Sequence, residues 1–226
     1  MSVLILGYAF FLDLLLYRHA QILKHPVNHV LIQHYRSGRD YISEHSDKTI
    51  DVVRGTNIVN VSLGAQRVMT LRTKRDRARQ EQQQQQIGGS ATSRDVQRIP
   101  LPHNSMFVMG SKTNAEWLHA INHDNRPFQT KSEAEQFNSG ERISLTFRLI
   151  GTFLTADEKL IYGQGATSKM REGAKPVIVG TAEAEKLIQA FGEENQRSDF
   201  DWEANYGMGY DVLHFNPSTS SGHSGM

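Results

Sequence analysis

The chain has 226 residues, and 25 Lys and Arg against 24 Asp and Glu give it a formal net charge of +1. This length is enough for one well-buried domain with extensions, while the charge gives no argument for nucleic-acid binding. The absence of cysteine excludes a disulfide, a thiolate metal site and a cysteine nucleophile, and it is compatible with an intracellular protein of the cytoplasm or nucleus.

Residues 1–26 begin with an apolar run, SVLILGYAFFLDLLLY, that carries Asp13. The run is shorter than the roughly 20 residues that a membrane-spanning helix needs. It also lacks the basic region and the small-residue cleavage site of a signal peptide. A buried helix is therefore favoured over a misassigned start of the gene model, and a membrane anchor is the least favoured interpretation.

Residues 27–154 are expected to form a β-rich core. Segments rich in Val, Ile, Leu, Thr and aromatic residues are bounded by Gly, Pro, Asn or Ser, which is typical of short strands and turns. Many short strands at close spacing favour a barrel or a sandwich over an α/β fold. The predicted strands are HVLIQHY, DYISEHS, NIVNVSL, RVMTLRT, QRIPLPH, SMFVMG, EWLHAI and RISLTFRLIG.

Two segments interrupt this core. Residues 74–95 combine charges, a glutamine run and a Gly-Gly pair, so they are expected to form a disordered loop. Four basic residues at its start could contact phosphates, although a solubilising hairpin tip is the favoured interpretation. They are Lys74, Arg75, Arg77 and Arg79. Residues 123–140 are polar and are expected to form a mobile loop at the mouth of a site.

A histidine and an aspartate two residues apart form the first chemical motif, His45 and Asp47 in YISEHSDKT. Alternate side chains of an extended strand share a face, so both can converge on one ion while Ser46 points away. His119 lies far downstream, in AEWLHAI, and must arrive on a different strand. Two imidazoles and one carboxylate can hold one face of a non-haem Fe(II) ion and leave its other positions open for O2 and a co-substrate.

The strand ERISLTFRLIG carries two arginines. Alternation places Arg142, Ser144, Thr146 and Arg148 on one face and four apolar residues on the other, so one face packs and the other binds. At about 3.3 Å per residue, the backbones of the two arginines are roughly 20 Å apart. They cannot grip one carboxylate together, but they could hold opposite ends of a dicarboxylate.

Residues 155–215 are expected to form a C-terminal extension with one helix. TAEAEKLIQAFGEEN has the spacing of an amphipathic helix with Leu187, Ile188 and Phe191 on one face, and Thr181 is a candidate N-cap. The aromatic residues of SDFDWEANYGMGYDVLHF are expected to pack on the core. The tail, residues 216–226, is expected to be disordered.

The order H-x-D, a downstream His and then R-x-x-x-x-x-R closing a strand resembles the AlkB-like family of Fe(II)/2-oxoglutarate-dependent dioxygenases. The resemblance runs from about Val27 to Leu154 and is closest to a fungal branch of that family. It implies a mainly β fold, with a double-stranded β-helix (jelly-roll) core, flanking helices and the metal at the open end of the barrel. It also implies Fe(II) as the metal and 2-oxoglutarate and O2 as co-substrates.

The resemblance also implies roles for individual residues. His45, Asp47 and His119 would be the iron ligands. Tyr35 would donate its hydroxyl to 2-oxoglutarate. The carboxylates of the same co-substrate would pair with Arg142 and Arg148.

This sequence departs from the family pattern at three positions. Gln33 replaces the Asn that usually stands two residues before the Tyr, and its longer amide could still reach the co-substrate. Ser144 takes the Asn position of R-x-N-x-x-x-R. Thr49 stands where nucleobase-demethylating members often carry an acid, so base specificity is open. Thr49 and Trp117, which shares the strand parity of His119, are candidate substrate-binding residues.

Three functions remain open. Family resemblance favours oxidative dealkylation of a base in alkylated nucleic acid, which requires that the base be extruded into a pocket. Thr49, the near-neutral charge and the short stretch before His45 speak against it. The alternatives are a small-molecule hydroxylase or demethylase of metabolism, and a binding module whose catalysis has decayed. The sequence leaves the oligomeric state open and makes a membrane partner the least favoured.

Overall fold

The structure, a computed structural model, describes the greater part of the chain. The described residues are 23, 25–75, 94–179 and 182–213. The expectations for the apolar run, for most of the 74–95 segment, for Thr181 as an N-cap and for the C-terminal tail lie outside these residues. Within the described ranges, no helix combines the length and the apolar composition that crossing a membrane would require.

Eight strands form the core, in two antiparallel sheets that both line one cavity. In chain order they are β1 (His29–Tyr35), β2 (Ile42–His45), β3 (Ile58–Gly64), β4 (Arg67–Thr73), β5 (Val96–Leu101), β6 (Ser105–Met109), β7 (Trp117–Ile121) and β8 (Arg142–Arg148). One sheet has the order β1-β8-β3-β6 and the other β2-β7-β4-β5. The predicted fold class, a mainly β jelly roll, is confirmed.

Strand β8 shows how alternation divides its two faces. Its polar residues line the cavity, whereas Leu145 and Phe147 are buried on the opposite face against Val59 and Val61 of β3. Leu23 is buried in the same apolar cluster. A slip of one residue would exchange the two faces, so burial of the apolar face also fixes the direction of the arginines.

Short helices and a small sheet flank the core. The helices are α1 (Ser111–Glu116), α2 (Glu133–Gln136), α3 (Ala182–Gln196) and α4 (Trp202–Tyr206). The small sheet contains β9 (Thr152–Leu154), β10 (Leu160–Gly163) and β11 (Lys175–Pro176) in the order β11-β10-β9. The C-terminal extension therefore has two helices where the sequence predicts one. Helix α4 has only five residues, too few to show a helical period, and Asp201 caps it by accepting a hydrogen bond from the backbone N–H of Ala204 at 3.0 Å.

Helix α3 buries the predicted apolar face with one exception. Leu187 and Phe191 are buried in a cluster with Ile50 of the core and Tyr206 of α4. Ile188, predicted on the same face, is 54% exposed. Adjacent residues lie about 100° apart around a helix, and the buried stripe here is too narrow to include it.

Lys74 corrects one prediction for the 74–95 segment. The side chain is buried, and its Nζ donates a hydrogen bond to the backbone carbonyl of Glu194 in α3 at 2.7 Å. Burial lowers the pKa of Lys74 to about 8. Lys74 therefore joins the end of β4 to the C-terminal extension. The prediction that the disordered loop begins at Lys74 is wrong, and the less favoured alternative of a phosphate contact does not fit this buried side chain either.

Residues 123–140, predicted as a polar loop, contain short helical turns. Helix α2 lies between two 3-10 turns, Phe128–Thr130 and Phe137–Gly140. Ser132 and Glu135 form a capping box in which each side chain accepts a hydrogen bond from the backbone N–H of the other, so two of the free donors at the start of α2 are satisfied. Local capping, which does not depend on a buried face, explains why a polar segment is ordered into turns.

Candidate metal centre

His45, Asp47 and His119 converge on one point. Strand β2 pairs with β7 so that His45 lies directly opposite His119, and the two ring centroids are 4.2 Å apart. One ligand atom from each of the three residues lies within 4.8 Å of the others. The alternation of the sequence predicts His45 and Asp47 on one strand. In the structure β2 ends at His45, so Asp47 lies in the loop that follows it.

Asn114 holds the loop that carries Asp47. The Asn114 side chain accepts a hydrogen bond from the backbone N–H of Asp47 and donates one to its backbone carbonyl, both at 2.8 Å. Asn114 belongs to α1, just before β7, and it is almost fully buried. No local pattern in the sequence indicates this role, because the two residues are 67 positions apart.

Replacing Asn114 with Ala is expected to lower the free energy of unfolding by about 2–4 kcal/mol. The change leaves a buried N–H and a buried carbonyl of Asp47 without partners, at roughly 1–3 kcal/mol for each group. Urea unfolding measures the loss. Asn125→Ala, at an exposed position, is the control and should change the stability by less than about 0.5 kcal/mol. Equal stability of both variants would show that Asn114 does not hold the loop.

The C-terminal extension holds both sides of Asp47. The side-chain carbonyl of Asn195 in α3 accepts hydrogen bonds from the backbone N–H and the hydroxyl of Ser46, at 2.8 and 3.0 Å. The neighbouring Glu194 carboxylate accepts from the backbone N–H and the hydroxyl of Thr49. The metal-binding loop is therefore fixed by residues that lie about 150 positions downstream.

The protonation states of Asp47 and His119 suit a divalent metal. Burial alone would raise the pKa of the Asp47 carboxyl, but the charge and hydrogen bonds of Arg148 hold it below its usual range. Burial, assisted by His45, lowers the pKa of His119 to about 4, so its imidazole is neutral at pH 7. His45 hydrogen-bonds through Nδ1 to the carbonyl of Ser43 at 2.8 Å, which leaves Nε2 as the ligand nitrogen.

The donor set fits Fe(II). Neutral imidazole and carboxylate are the ligands that non-haem iron takes in a facial arrangement with open positions. Nδ1 of His119 is buried and has no hydrogen-bond partner among the described residues. A buried nitrogen without a partner is costly, and either a bound ion or a group brought in with it would relieve that cost.

A cavity between the two sheets contains every residue that the sequence assigns to the metal or the co-substrate. The inward residues of β1 and β8 form one wall, and the metal ligands form the other. The predicted residues that line it are Gln33, Tyr35, His45, Asp47, His119, Arg142, Ser144 and Arg148. Thr146, predicted on the binding face of β8, lines the same cavity, and so does Asn60, which has no role in the sequence prediction.

Arg142 is a buried cation that has no anionic partner among the described residues. The residue is 1% exposed, and its guanidinium carbon lies 5.0 Å from the centre of the Tyr35 ring. Nε donates to the Ser62 hydroxyl at 2.8 Å, and Nη2 donates to the Asn60 side-chain carbonyl at 3.2 Å. Nη1 is buried and has no hydrogen-bond partner in the described part of the chain. Burial lowers the pKa of Arg142 to about 10, so it is still a cation at neutral pH.

Tyr35 stays protonated beside this cation. Burial raises the pKa of its phenol, and the charge of Arg142 opposes that shift without reversing it. A protonated phenol can donate a hydrogen bond to an anion in the cavity. Tyr35 and Arg142 are therefore two donors on the same side of the cavity.

Arg148 differs from Arg142 because it already has an anionic partner. Its Nη2 and Nε donate to the two carboxylate oxygens of Asp47 at 2.8 and 3.1 Å. The two arginines that the sequence treats as equivalent therefore play different roles in the described structure: one orients a metal ligand, and the other has an unused donor.

Replacing Arg148 with Lys is expected to weaken divalent-metal binding by about 1–3 kcal/mol, the scale of a hydrogen bond to a charged group. Lys keeps the charge but loses the planar fork that fixes both oxygens of Asp47. Mn(II) titration followed by electron paramagnetic resonance measures the change. Arg36 makes the same two-point contact with Asp40 on the surface, so Arg36→Lys is the matched control. Unchanged Mn(II) affinity in Arg148→Lys would remove this role.

The two candidate substrate-binding residues do not line the cavity. The Thr49 hydroxyl lies 2.5 Å from the Glu194 carboxylate, which also accepts a hydrogen bond from the Tyr206 hydroxyl at 2.9 Å. Trp117 packs against the apolar cluster that contains Met69. The acid that the family pattern often has at position 49 is therefore matched by a neighbouring carboxylate, that of Glu194 in α3. Both of its oxygens accept hydrogen bonds from Thr49 and Tyr206. The sequence gives no signal for Glu194.

Comparison with known proteins agrees with this geometry. Residues 13–148 match the 2OG-Fe(II) oxygenase superfamily. The human protein named DNA oxidative demethylase ALKBH2 is 35% identical over 125 residues, which are 54% of this chain and 40% of the relative. Human alpha-ketoglutarate-dependent dioxygenase alkB homolog 3 is 28% identical over 127 residues, 56% of this chain and 37% of the relative.

The chain spans less than half the length of these two relatives. A solved structure, "The structure of OsALKBH1", covers 55% of this chain and 49% of its own at 15% identity. Its TM-score of 0.34 is too low to carry an argument. The match to the superfamily includes the segment from β1 to β8, which contains all three candidate ligands.

Proposed function

The chain belongs to the 2OG-Fe(II) oxygenase superfamily, and from that premise we propose that it is an Fe(II)- and 2-oxoglutarate-dependent dioxygenase that dealkylates nucleobases. The observation that carries the proposal is Arg142. A buried cation with an unused donor needs an anion, and no acidic side chain of the described residues pairs with it. It lines the same cavity as the three candidate metal ligands.

Each residue has a definite task in this proposal. His45, Asp47 and His119 hold Fe(II), which together with 2-oxoglutarate and O2 supplies the oxidation of a substrate C–H bond, leaving succinate and CO2. Arg142 binds a carboxylate of the co-substrate through its free Nη1, and Tyr35 donates its hydroxyl to the same anion. Gln33 and Ser144 complete the co-substrate side of the cavity, and Arg148, whose Nε and Nη2 are engaged by Asp47, orients that ligand.

The proposed catalytic domain is residues 27–154, and residues 155–215 form an extension that supports it. Contacts of Asn195 and Glu194 with the loop around Asp47 support this division of labour. The protein's part in the reaction is to bind, orient and exclude water, since the cofactor supplies the oxidising power. Convergence of the ligands, Arg142 and Tyr35 in one cavity argues against a decayed binding module.

The substrate class rests on the relatives. One is named a DNA oxidative demethylase, and the alkylated nucleobase is the substrate we propose by extension. Such a substrate requires an intracellular location, in the nucleus or the cytoplasm. Thr49 supplies no acid in the cavity, so this departure from the family pattern still speaks against a base, and the proposal of a base rests on the named relatives.

Succinate release tests the function. The whole chain with Fe(II) and 2-oxoglutarate is incubated with oligonucleotides that carry N-methylated adenine or cytosine, with unmodified oligonucleotides and with N-methylated small molecules. Methylated oligonucleotides are expected to raise succinate release and to lose the methyl carbon as formaldehyde. A rise with small molecules alone would overturn the nucleobase assignment, and no 2-oxoglutarate turnover under any condition would overturn the enzyme itself.

A further inference from the structure

Asn60 occupies a position next to the residue at which the chain departs from the family pattern. Strand β3 runs antiparallel to β8, with Ser62 opposite Ser144 and Asn60 opposite Thr146. Residues two apart on a strand share a face, so Asn60 lies diagonally across from Ser144 and on the cavity side. Position 144 has no side-chain amide in this chain, but Asn60 supplies one on the neighbouring strand. That amide reaches Arg142 and the hydroxyls of Ser144 and Thr146.

The side chain of Asn60 is bonded at both ends. Its Nδ2 donates to the Ser144 hydroxyl at 2.7 Å and to the Thr146 hydroxyl at 3.0 Å. Its Oδ1 accepts from Nη2 of Arg142 at 3.2 Å. One amide therefore connects both inward hydroxyls of β8 to the buried guanidinium.

These contacts define the plane of Arg142. The guanidinium is rigid and planar, so acceptors at two of its three nitrogens fix the direction of the third. Ser62 accepts a hydrogen bond from Nε, and Asn60 accepts one from Nη2. Nη1 is then the guanidinium nitrogen that has no partner among the described residues. Ser144 has only a short hydroxyl, which accepts a hydrogen bond from Asn60. Asn60, and not Ser144, is therefore the residue that supplies the second acceptor for the Arg142 guanidinium.

We propose that Asn60 is the positioning residue for Arg142, in place of the amide that the family pattern has at position 144, and that it sets the affinity for the carboxylate of the co-substrate. The inference rests on the proposed function, since that carboxylate is taken to be 2-oxoglutarate. Asn60 acts through Arg142, because its Oδ1 is engaged by Nη2 of Arg142 and its Nδ2 by the hydroxyls of Ser144 and Thr146.

Moving the amide between strands tests the proposal. Asn60→Ser in the full chain is expected to weaken 2-oxoglutarate binding about tenfold, the scale of one hydrogen bond to a charged group. Adding Ser144→Asn in the same chain is expected to return the affinity to within about threefold of the starting value. Calorimetric titration of 2-oxoglutarate into the Mn(II)-loaded protein gives both affinities, and Mn(II) affinity is expected to stay constant because the metal ligands are untouched.

Two further variants separate positioning from general support of the sheet. Asn60→Asp keeps the shape of the side chain but places a carboxylate beside Arg142, so it should weaken 2-oxoglutarate binding more than Asn60→Ser does. Asn122 donates to the Thr70 hydroxyl at 3.0 Å and does not line the cavity, so Asn122→Ser is the matched control and should leave the affinity unchanged.

The outcomes distinguish the two proposals. Normal 2-oxoglutarate affinity in Asn60→Ser, or a double variant as weak as the single one, would overturn the role of Asn60 while leaving the proposed function standing. A starting protein that binds Mn(II) but not 2-oxoglutarate would overturn both. Full affinity in Asn60→Asp would also contradict the proposal, because an internal anion should compete for the guanidinium.

Discussion

Arg142→Met is expected to weaken 2-oxoglutarate binding at least a hundredfold, about 3 kcal/mol, with little change in folding stability. The loss of a charged hydrogen bond from Nη1, worth about 1.5–3 kcal/mol, together with the loss of the cation itself, accounts for an effect of this size. The stability should stay within about 1 kcal/mol, because removing an unpaired buried charge offsets the acceptors of Asn60 and Ser62 that lose their donor. Calorimetric titration and urea unfolding of the same preparation give the two quantities.

Two controls sharpen this prediction. Arg142→Lys keeps the charge without the planar fork, so its affinity should fall between those of the original protein and Arg142→Met. Arg98→Met changes an exposed arginine and should leave the affinity unaltered. A normal affinity in Arg142→Met would mean that the co-substrate carboxylate is held elsewhere, and the central argument for the function would be lost.

His119→Ala is expected to abolish the visible charge-transfer band of the Fe(II)–2-oxoglutarate complex. The change removes one of three protein ligands, and even residues that only support a ligand affect metal affinity by about 10–100-fold, so a larger loss is expected here. Anaerobic titration of Fe(II) and 2-oxoglutarate, followed by absorbance, measures the band.

His123→Ala is the control for His119→Ala. His123 lies four residues further on, is exposed and stacks on Tyr41 at 3.8 Å, outside the cavity. Its replacement should leave the charge-transfer band unchanged. If the band instead persists at full strength in His119→Ala, the assignment of His119 to the metal fails.

The sequence predicted those parts of the site that a local period controls. Alternation in β8 correctly placed Arg142 and Ser144 in the cavity and Phe147 on the packed face, because the side-chain period of a strand is fixed by backbone geometry. His45 and Asp47 do approach one point as predicted, but the loop after β2 and not the alternation of a strand presents Asp47, and the structure brings His119 to them.

The sequence could not predict partners that meet only in the folded chain. Asn114 binds the backbone of Asp47, and Arg148 binds its carboxylate across 101 positions, with no motif that marks either contact. The burial of Lys74 was missed for a similar reason. Its neighbours in sequence are polar, whereas its environment is set by α3, far along the chain.

The contacts of α3 with the loop around Asp47 also bear on how small a working fragment of this protein can be. The match to the superfamily ends at residue 148, and a fragment trimmed there would keep every candidate metal ligand. It would nevertheless lose Glu194 and Asn195, which hold Thr49 and Ser46 on either side of Asp47. A fragment that ends at residue 148 therefore contains all the candidate metal ligands but lacks the residues that hold the loop around Asp47. A working fragment must extend at least through Asn195.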